Sequence, residues 1–242
     1  MSQRIKDFIL DILFPAFCLG CGLEGTYLCD DCKAILEISE HQYCLCEKSA
    51  LRIPLSEKKG KCQRCQNKKL SGIFFALSYK EKHLTRKLIH FFKYGPYYLK
   101  DLAKSLSLLI IDHISLLGKN QKALFENSIL IPVPMEKKKL KKRGYNQSKE
   151  LAKELAKKIE VPLVLNNLIK IKITLSQMEL PEKKRKENLK DAFSCQNPEQ
   201  IKNKKIFLID DVYTTGSTME ECSKILRHAG AKEVWGIVVA RD

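Results

Sequence analysis

The chain has 242 residues, with 44 Lys+Arg against 28 Asp+Glu and a formal net charge of +16. At 44%, the hydrophobic residues supply enough apolar material for a sizeable core, which excludes wholesale disorder. No run reaches the roughly 18–20 apolar residues that a membrane span needs; the most apolar helical stretch, Leu106–Leu117, is broken by Asp112 and His113, so no transmembrane segment is expected.

In chain order, the opening MSQRIKDFILDILF places Ile5, Phe8, Ile9, Ile12 and Leu13 on one face of a short amphipathic helix. It is a poor signal peptide, because Asp11 interrupts the apolar run and no small-residue cleavage site follows. A cytoplasmic protein is the expectation. Such a helix packs on its own domain or docks on a partner or membrane surface.

Eight of the ten cysteines then fall before residue 66, in pairs: Cys18 and Cys21, Cys29 and Cys32, Cys44 and Cys46, Cys62 and Cys65. With no export signal, this spacing points to zinc rather than to disulfides. Two sulfurs on a tight turn grip one edge of a tetrahedron and a second pair supplies the other. Eight sulfurs make up to two four-cysteine sites. Sequential pairing gives Cys18, Cys21, Cys29 and Cys32, then Cys44, Cys46, Cys62 and Cys65; interleaved pairing stays open. The Cys44–Cys46 spacing is one residue short, which weakens the second site, and His41 is a substitute ligand there. Four sulfurs leave no position for a reacting water, so the zinc is expected to be structural. Lys48, Arg52, Lys58, Lys59, Lys61, Arg64, Lys68 and Lys69 make the second ribbon basic, for nucleic acid or simply for water. The Cys-rich domain is expected to span residues 1–70.

From Ser71 the composition changes and periodic apolar segments begin. Gly72–Tyr79 reads as a strand, His83–Lys93 as a helix, Leu99–Leu117 as a second helix and Ser128–Val133 as a buried strand. A basic loop follows, carrying Lys137, Lys138, Lys139, Lys141, Lys142 and Arg143. So many cations face water or an anion, with pyrophosphate and a nucleic-acid backbone both candidates. Tyr145–Ile159 reads as a helix, Val161–Ile173 as extended, and the charged stretch Thr174–Asp191 as a mobile loop. Ile206–Asp210 reads as a strand, Ser217–Ala229 as a helix and Glu233–Val239 as a last strand. This alternation predicts an α/β domain over 71–242 with a mostly parallel sheet.

The sharpest segment is Asp210-Asp211-Val-Tyr-Thr214-Thr215-Gly216-Ser217-Thr218. Two acids stand at a strand's carboxyl end, where open α/β sheets bind ligands. Gly216 lets backbone approach an anion, amides at the helix start point at it, and four hydroxyls add donors. A phosphate on that loop and a diol on the acids describe a ribose 5-phosphate.

This segment resembles the phosphoribosyl diphosphate (PRPP) motif of type I phosphoribosyltransferases. Together with the Cys pairs, the chain is similar nearly end to end to the ComF family, linked to natural competence. The likeness includes Phe92–Gly95, Ile131–Pro134, Arg143–Gln147, Thr174, Gln177, Leu180, Arg185, Asn188 and Ala192–Phe193. It implies a type I phosphoribosyltransferase-like sheet with helices on both faces beside a small double zinc ribbon. It implies that Asp210 and Asp211 contact the ribose hydroxyls, that Thr214, Thr215, Gly216, Ser217 and Thr218 hold the 5-phosphate, and that Mg²⁺ accompanies PRPP. It places pyrophosphate near Pro134–Gly144, with Lys139, Lys141, Arg143 and Gly144, and makes Thr174–Phe193 a lid from which Arg185 reaches in. Where the family often has Arg, this chain has Lys139 and Lys141, a point charge instead of a planar fork; Asp191 stands where Gly is frequent.

Two readings follow. In one, the protein binds PRPP and acts in DNA uptake, with single-stranded DNA and competence-machinery proteins as partners. In the other, it transfers phosphoribose to a nitrogen nucleophile and has no tie to DNA. The acceptor is not legible, and too few aromatics sit among the basic runs to assert base stacking.

Overall fold

The computed structural model describes residues 15–47, 49–54, 60–80, 83–94, 99–118, 120–172 and 189–242. The expected N-terminal helix, Arg185 and most of the expected lid lie outside the described residues. No helix among the described residues is long and apolar enough to cross a membrane.

Four strands form one parallel sheet: β3 (Ile73–Ser78), β4 (Ser128–Pro132), β7 (Lys205–Tyr213) and β8 (Glu233–Arg241), in the order β3-β8-β7-β4. Their sequences, IFFALS, SILIP, KIFLIDDVY and EVWGIVVAR, are largely apolar because both faces are covered. The period of two sorts the side chains. Phe74, Phe207, Ile209, Trp235 and Ile237 join one core, with residues of α2 (His83–Tyr94), α3 (Leu102–Leu116) and α6 (Gln147–Ile159). Ile73, Phe75, Ile206, Leu208, Val234 and Val238 join the other, with Met219, Cys222 and Leu226 of α7 (Ser217–His228). Helices therefore cover both faces, as the α/β reading expected.

The Cys-rich segment divides between these faces. Its first half carries the short helix α1 (Asp30–Ala34), and Cys18, Leu28, Cys29, Cys32 and Leu36 lie in the same core as Leu88 and Phe74. Its second half carries the small antiparallel pair β1 (Gln42–Tyr43) and β2 (Arg52–Ile53); Cys44, Leu45, Ile53 and Cys65 lie in the other core, with Ile73 and Phe75. The connection crosses the edge of the sheet at β3. There Ser39 N donates to Ala76 O at 2.8 Å, and His113 Nδ1 lies 2.5 Å from Ser39 O.

Among the described residues the predicted elements are present, with three differences. The basic segment is a helix, α5 (Lys137–Arg143), rather than a loop. Lys, Leu and Arg are good helix formers, and Gly144, at φ +81°, ends the helix in the left-handed region. Of the extended stretch 161–173, only β5 (Leu168–Lys170) is a strand; it pairs with β6 (Phe193–Cys195), so an antiparallel clip joins the two ends of the expected lid. A five-residue helix, α4 (Gln121–Phe125), capped by Asn120, precedes β4.

Candidate phosphoribosyl site and four-cysteine centres

β7 runs three residues past Asp210, so the two acids sit within the strand's last turn of pleat rather than at its end. Ser148 Oγ donates to Asp210 Oδ1 at 2.8 Å, and the Asp211 amide donates to the same oxygen at 2.9 Å. Lys93 Nζ pairs with Asp211 Oδ1 at 2.8 Å. Burial, and then the neighbouring Asp211 charge, push the Asp210 carboxyl up to about 7, against the pull of Lys93 and Ser148. Burial works to lower the Lys93 ammonium, but Asp211 and Asp210 hold it above the usual lysine range.

The acids separate two adjoining hollows that both include Lys93, Asp210, Asp211 and Thr218. The first, of about 390 Å³, is lined also by Thr214, Gly216 and Ser217. Gly216 has φ +71°, and a Cβ there would lie 2.2–2.6 Å from the Tyr213 ring and hydroxyl, so glycine is required twice over. Thr215 does not line the hollow; its Oγ1 lies 2.9 Å from Ser217 Oγ and accepts from the Ser217 amide at 3.4 Å, bracing the loop. The second hollow, of about 230 Å³, is lined by Glu136, Lys139, Arg143 and Lys170 among others. Burial, and then the Lys139 charge, lower Lys170. Glu136 is 9% exposed, and its Oε2 has no hydrogen-bond partner. Lys141, exposed on the outer side of α5, and Gly144, its cap, do not reach either hollow.

The segment Arg143–Ser148 assembles this geometry. Tyr145 Oη and Gln147 Nε2 donate to Phe92 O at 2.5 and 3.2 Å, fixing the end of α2 that carries Lys93. Asn146 Nδ2 donates to Val133 O at 3.0 Å, while its Oδ1 caps α6 by accepting from the Ser148 amide at 3.0 Å. Arg143 donates to Gln147 Oε1 at 2.7 Å and stands 4.9 Å over the Tyr94 ring. Sequence reasoning quoted Lys93 and this segment without assigning Lys93, and missed Ser148, Lys170 and Glu136, which no local spacing connects to Asp210.

The cysteines form two four-thiol groups by sequential pairing, Cys18, Cys21, Cys29 and Cys32, then Cys44, Cys46, Cys62 and Cys65, with the sulfurs of each within 4.8 Å of one another. His41 belongs to neither group. Zinc–sulfur bonds of about 2.3 Å place tetrahedral sulfurs about 3.8 Å apart. The separations here include Cys18–Cys29 at 3.6, Cys21–Cys29 at 3.6, Cys46–Cys62 at 3.5 and Cys62–Cys65 at 3.7 Å. Backbone amides point at the sulfurs, from Cys29 to Cys18, Cys32 to Cys29 and Leu51 to Cys44, at 3.2–3.4 Å. Burial raises the Cys18 and Cys62 thiols, but their hydrogen bonds outweigh it and bring both down to about 6. Both groups could hold zinc, and the short Cys44–Cys46 spacing does not spoil the second.

A parallel sheet with two acids in the last residues of one strand and a Thr/Ser/Gly loop following it is the frame of a phosphoribosyltransferase domain, and residues 142–242 match the family model described as "Phosphoribosyl transferase domain". Competence protein F of Haemophilus influenzae is 38% identical over 159 residues, 63% of this chain and 67% of that protein. The chain belongs to the ComF family. DNA utilization protein YhgH of Salmonella typhimurium is 29% identical over 56% of this chain and 59% of its own length. Competence protein ComFC of Bacillus subtilis is 30% identical over 42% of this chain and 39% of its own. The last two alignments thus span less than two thirds of those relatives.

Proposed function

We propose that this protein binds PRPP with Mg²⁺ at the Asp210–Asp211 site and acts in DNA uptake during natural transformation. The observation that carries the first part is the meeting of the acid pair with the Thr214–Thr218 loop across one hollow, next to a second hollow bearing Lys139, Arg143 and Lys170. The ribose hydroxyls donate to Asp210 and Asp211. The 5-phosphate accepts from the loop hydroxyls and from amides at the start of α7. Lys139, Arg143 and Lys170 offset the diphosphate charge. Carboxylate oxygens beside a diphosphate are the hard donors that suit Mg²⁺, whose contribution when bound is to neutralise the leaving group. The second part is supported by the names of the relatives. Single-stranded DNA, held through basic surface such as α5, and competence-machinery proteins are the proposed partners, with zinc structural in both four-cysteine centres and the cytoplasm as the location.

The test is calorimetric titration of PRPP and Mg²⁺ into the zinc-loaded protein beside an Asp210→Asn/Asp211→Asn double variant. Binding confined to the wild type is expected; equal binding, or none to a folded wild type, removes the ribose-phosphate assignment. A parallel DNA titration should show affinity falling steeply with salt.

One observation favours turnover as well. Glu136, one of whose buried oxygens has no hydrogen-bond partner, lines a hollow that also carries Val133, Leu189 and Phe193, a setting for a small acceptor with an N–H group. In that reaction the C1–oxygen bond to pyrophosphate breaks, a C1–nitrogen bond forms, and Glu136 takes the acceptor's proton. Glu136→Gln should then lower pyrophosphate release at saturating acceptor without weakening PRPP binding.

A further inference from the structure

The second four-cysteine centre is wired into the phosphate loop, and the first is not. Arg241, the penultimate residue, lies at the end of β8 and is buried. Its Nη1 donates to Cys44 O at 2.7 Å and its Nη2 to Cys46 O, so one guanidinium fork grips both ends of the Cys44–Leu45–Cys46 turn. The same guanidinium stands 5.5 Å over the ring of Tyr213. Tyr213 in turn donates to Leu45 O, in the middle of that turn, at 3.4 Å. Its ring and hydroxyl are what Gly216 closes upon, within the space that excludes a Cβ. A second strut reaches the loop from the other side. The amides of Lys69 and Leu70, a few residues after Cys65, donate to the two oxygens of Glu220 at 2.7 and 3.2 Å. Glu220 sits in the first turn of α7, the helix that the loop opens, and its own amide donates to Gly216 O at 2.9 Å. The loop is thus braced through Tyr213 beneath it and Glu220 behind it, and both braces end on segments next to ligands of the second centre.

The first centre lies across the sheet, against α2 and α3; Lys33 of α1 pairs with Asp112 there at 2.7 Å. The hydrogen bonds described for its cysteines stay within residues 18–33, and its ion pair runs to α3.

We propose that Arg241, Tyr213 and Glu220 are positioning residues through which the second four-cysteine centre holds the 214–218 loop in its phosphate-binding shape, so that metal at that centre sets the loop's order and its affinity for a phosphate ester. Metal fixes Cys44 and Cys46 to Cys62 and Cys65, and thereby fixes the three carbonyls on which Arg241 and Tyr213 rest. With those carbonyls free to move, Tyr213 loses its seat and the loop loses the surface that shapes Gly216. By linkage, a phosphate ester that favours the ordered loop also holds metal at the second centre. The affinity part rests on the ribose-phosphate reading of the site; the ordering part does not.

The test uses the full zinc-loaded chain and reads three quantities: zinc per chain, hydrogen exchange of amides 214–220, and affinity for ribose 5-phosphate. Cys46→Ser should lose one zinc, quicken exchange across 214–220 at least tenfold and weaken ribose 5-phosphate in parallel. Cys21→Ser should also lose one zinc yet quicken exchange across 214–220 no more than in the rest of the sheet. Tyr213→Phe keeps every thiol and guards against a Cys46→Ser chain that fails to fold. It should retain two zincs and lose about 3- to 10-fold in affinity, the value of one neutral hydrogen bond. Unchanged exchange after loss of the second zinc, equal loosening by either cysteine variant, or a protected loop in a chain with no metal at the second centre each overturns the proposal. A wild type that shows the exchange contrast but binds no ribose 5-phosphate overturns the ribose-phosphate reading alone and leaves the coupling standing.

Discussion

Asp210 is an acid that the fold shelters more than its partners compensate. Burial and Asp211 raise it to about 7, while an unfolded chain would release its proton near the ordinary aspartate value of 3.8. Between those two values the folded protein holds a proton that the unfolded chain has lost, so this residue makes stability fall as pH rises, and the loss is complete above about 7. Asp210→Asn keeps an oxygen for Ser148 and the Asp211 amide but carries no charge. Thermal unfolding should therefore show the variant melting a few degrees above the wild type at pH 8, with the gap closing by pH 4–5. A constant gap across that range would mean that the buried charge is not the cause. Gly216 offers a second check of local reasoning. Gly216 and Gly118 have similar positive φ, +71° and +62°, but a Cβ at Gly118 meets nothing within 4 Å. Gly118→Ala should cost about 1 kcal/mol for the left-handed backbone alone. Gly216→Ala should cost about 2 kcal/mol more, as Tyr213 is displaced, and should abolish phosphate-ester binding; equal chemical denaturation midpoints for the two would refute the close-packing account.

At the scale of elements, α5 shows how a run of charge becomes a sided surface. Lys139 and Arg143 are four apart, one helical turn, and both line the second hollow, whereas Lys141 lies off that face and is exposed. Lys139→Gln should weaken PRPP several-fold, and Lys141→Gln should leave it within twofold while still lowering the salt dependence of DNA binding. Equal effects on PRPP would mean that α5 acts only as a diffuse field. The same element marks the limit of what the sequence disclosed. Six cations in seven positions obscure a 3.6-residue period, because Leu140 alone is apolar between Lys137 and Arg143, so the segment reads as a loop. Strands and helices buried on a face were legible because their apolar residues record the face. The Asp210–Thr218 segment was legible because one short stretch contains the whole loop. Lys93, Ser148 and Glu136 were not, since Lys93 and Ser148 meet the acids, and Glu136 joins their hollow, only after α2, α6 and the turn following β4 have docked on the sheet. Cysteine spacing disclosed the two clusters, but not that they would lie on opposite faces of one sheet.

That placement decides how the whole molecule should respond to losing metal. Read along the chain, residues 1–70 and 71–242 invite treatment as two independent domains. In space, Cys18, Cys29 and Cys32 share a core with Phe74 and Leu88, and Cys44 and Cys65 share the other with Ile73, Phe75 and Met219. Main-chain bonds stitch the two parts as well, including Ser39 N to Ala76 O at 2.8 Å and Gly60 N to Ser71 O at 3.0 Å. Stability contributed by metal is folding stability wherever the ligands exist as a site only in the folded chain. Because both clusters are built into the cores that cover the sheet, that contribution belongs to the entire fold rather than to an appendage. Calorimetry of the zinc-loaded protein should give one cooperative transition, and a strong chelator should shift that whole transition down by ten degrees or more. A fragment of residues 71–242 would expose the faces that Leu28, Leu36, Leu45 and Ile53 cover, and should aggregate or bind a hydrophobic dye. Two separate transitions, only the lower one responding to chelator, would instead establish that the α/β part stands alone, and that the Cys-rich segment is an attachment to a finished sheet.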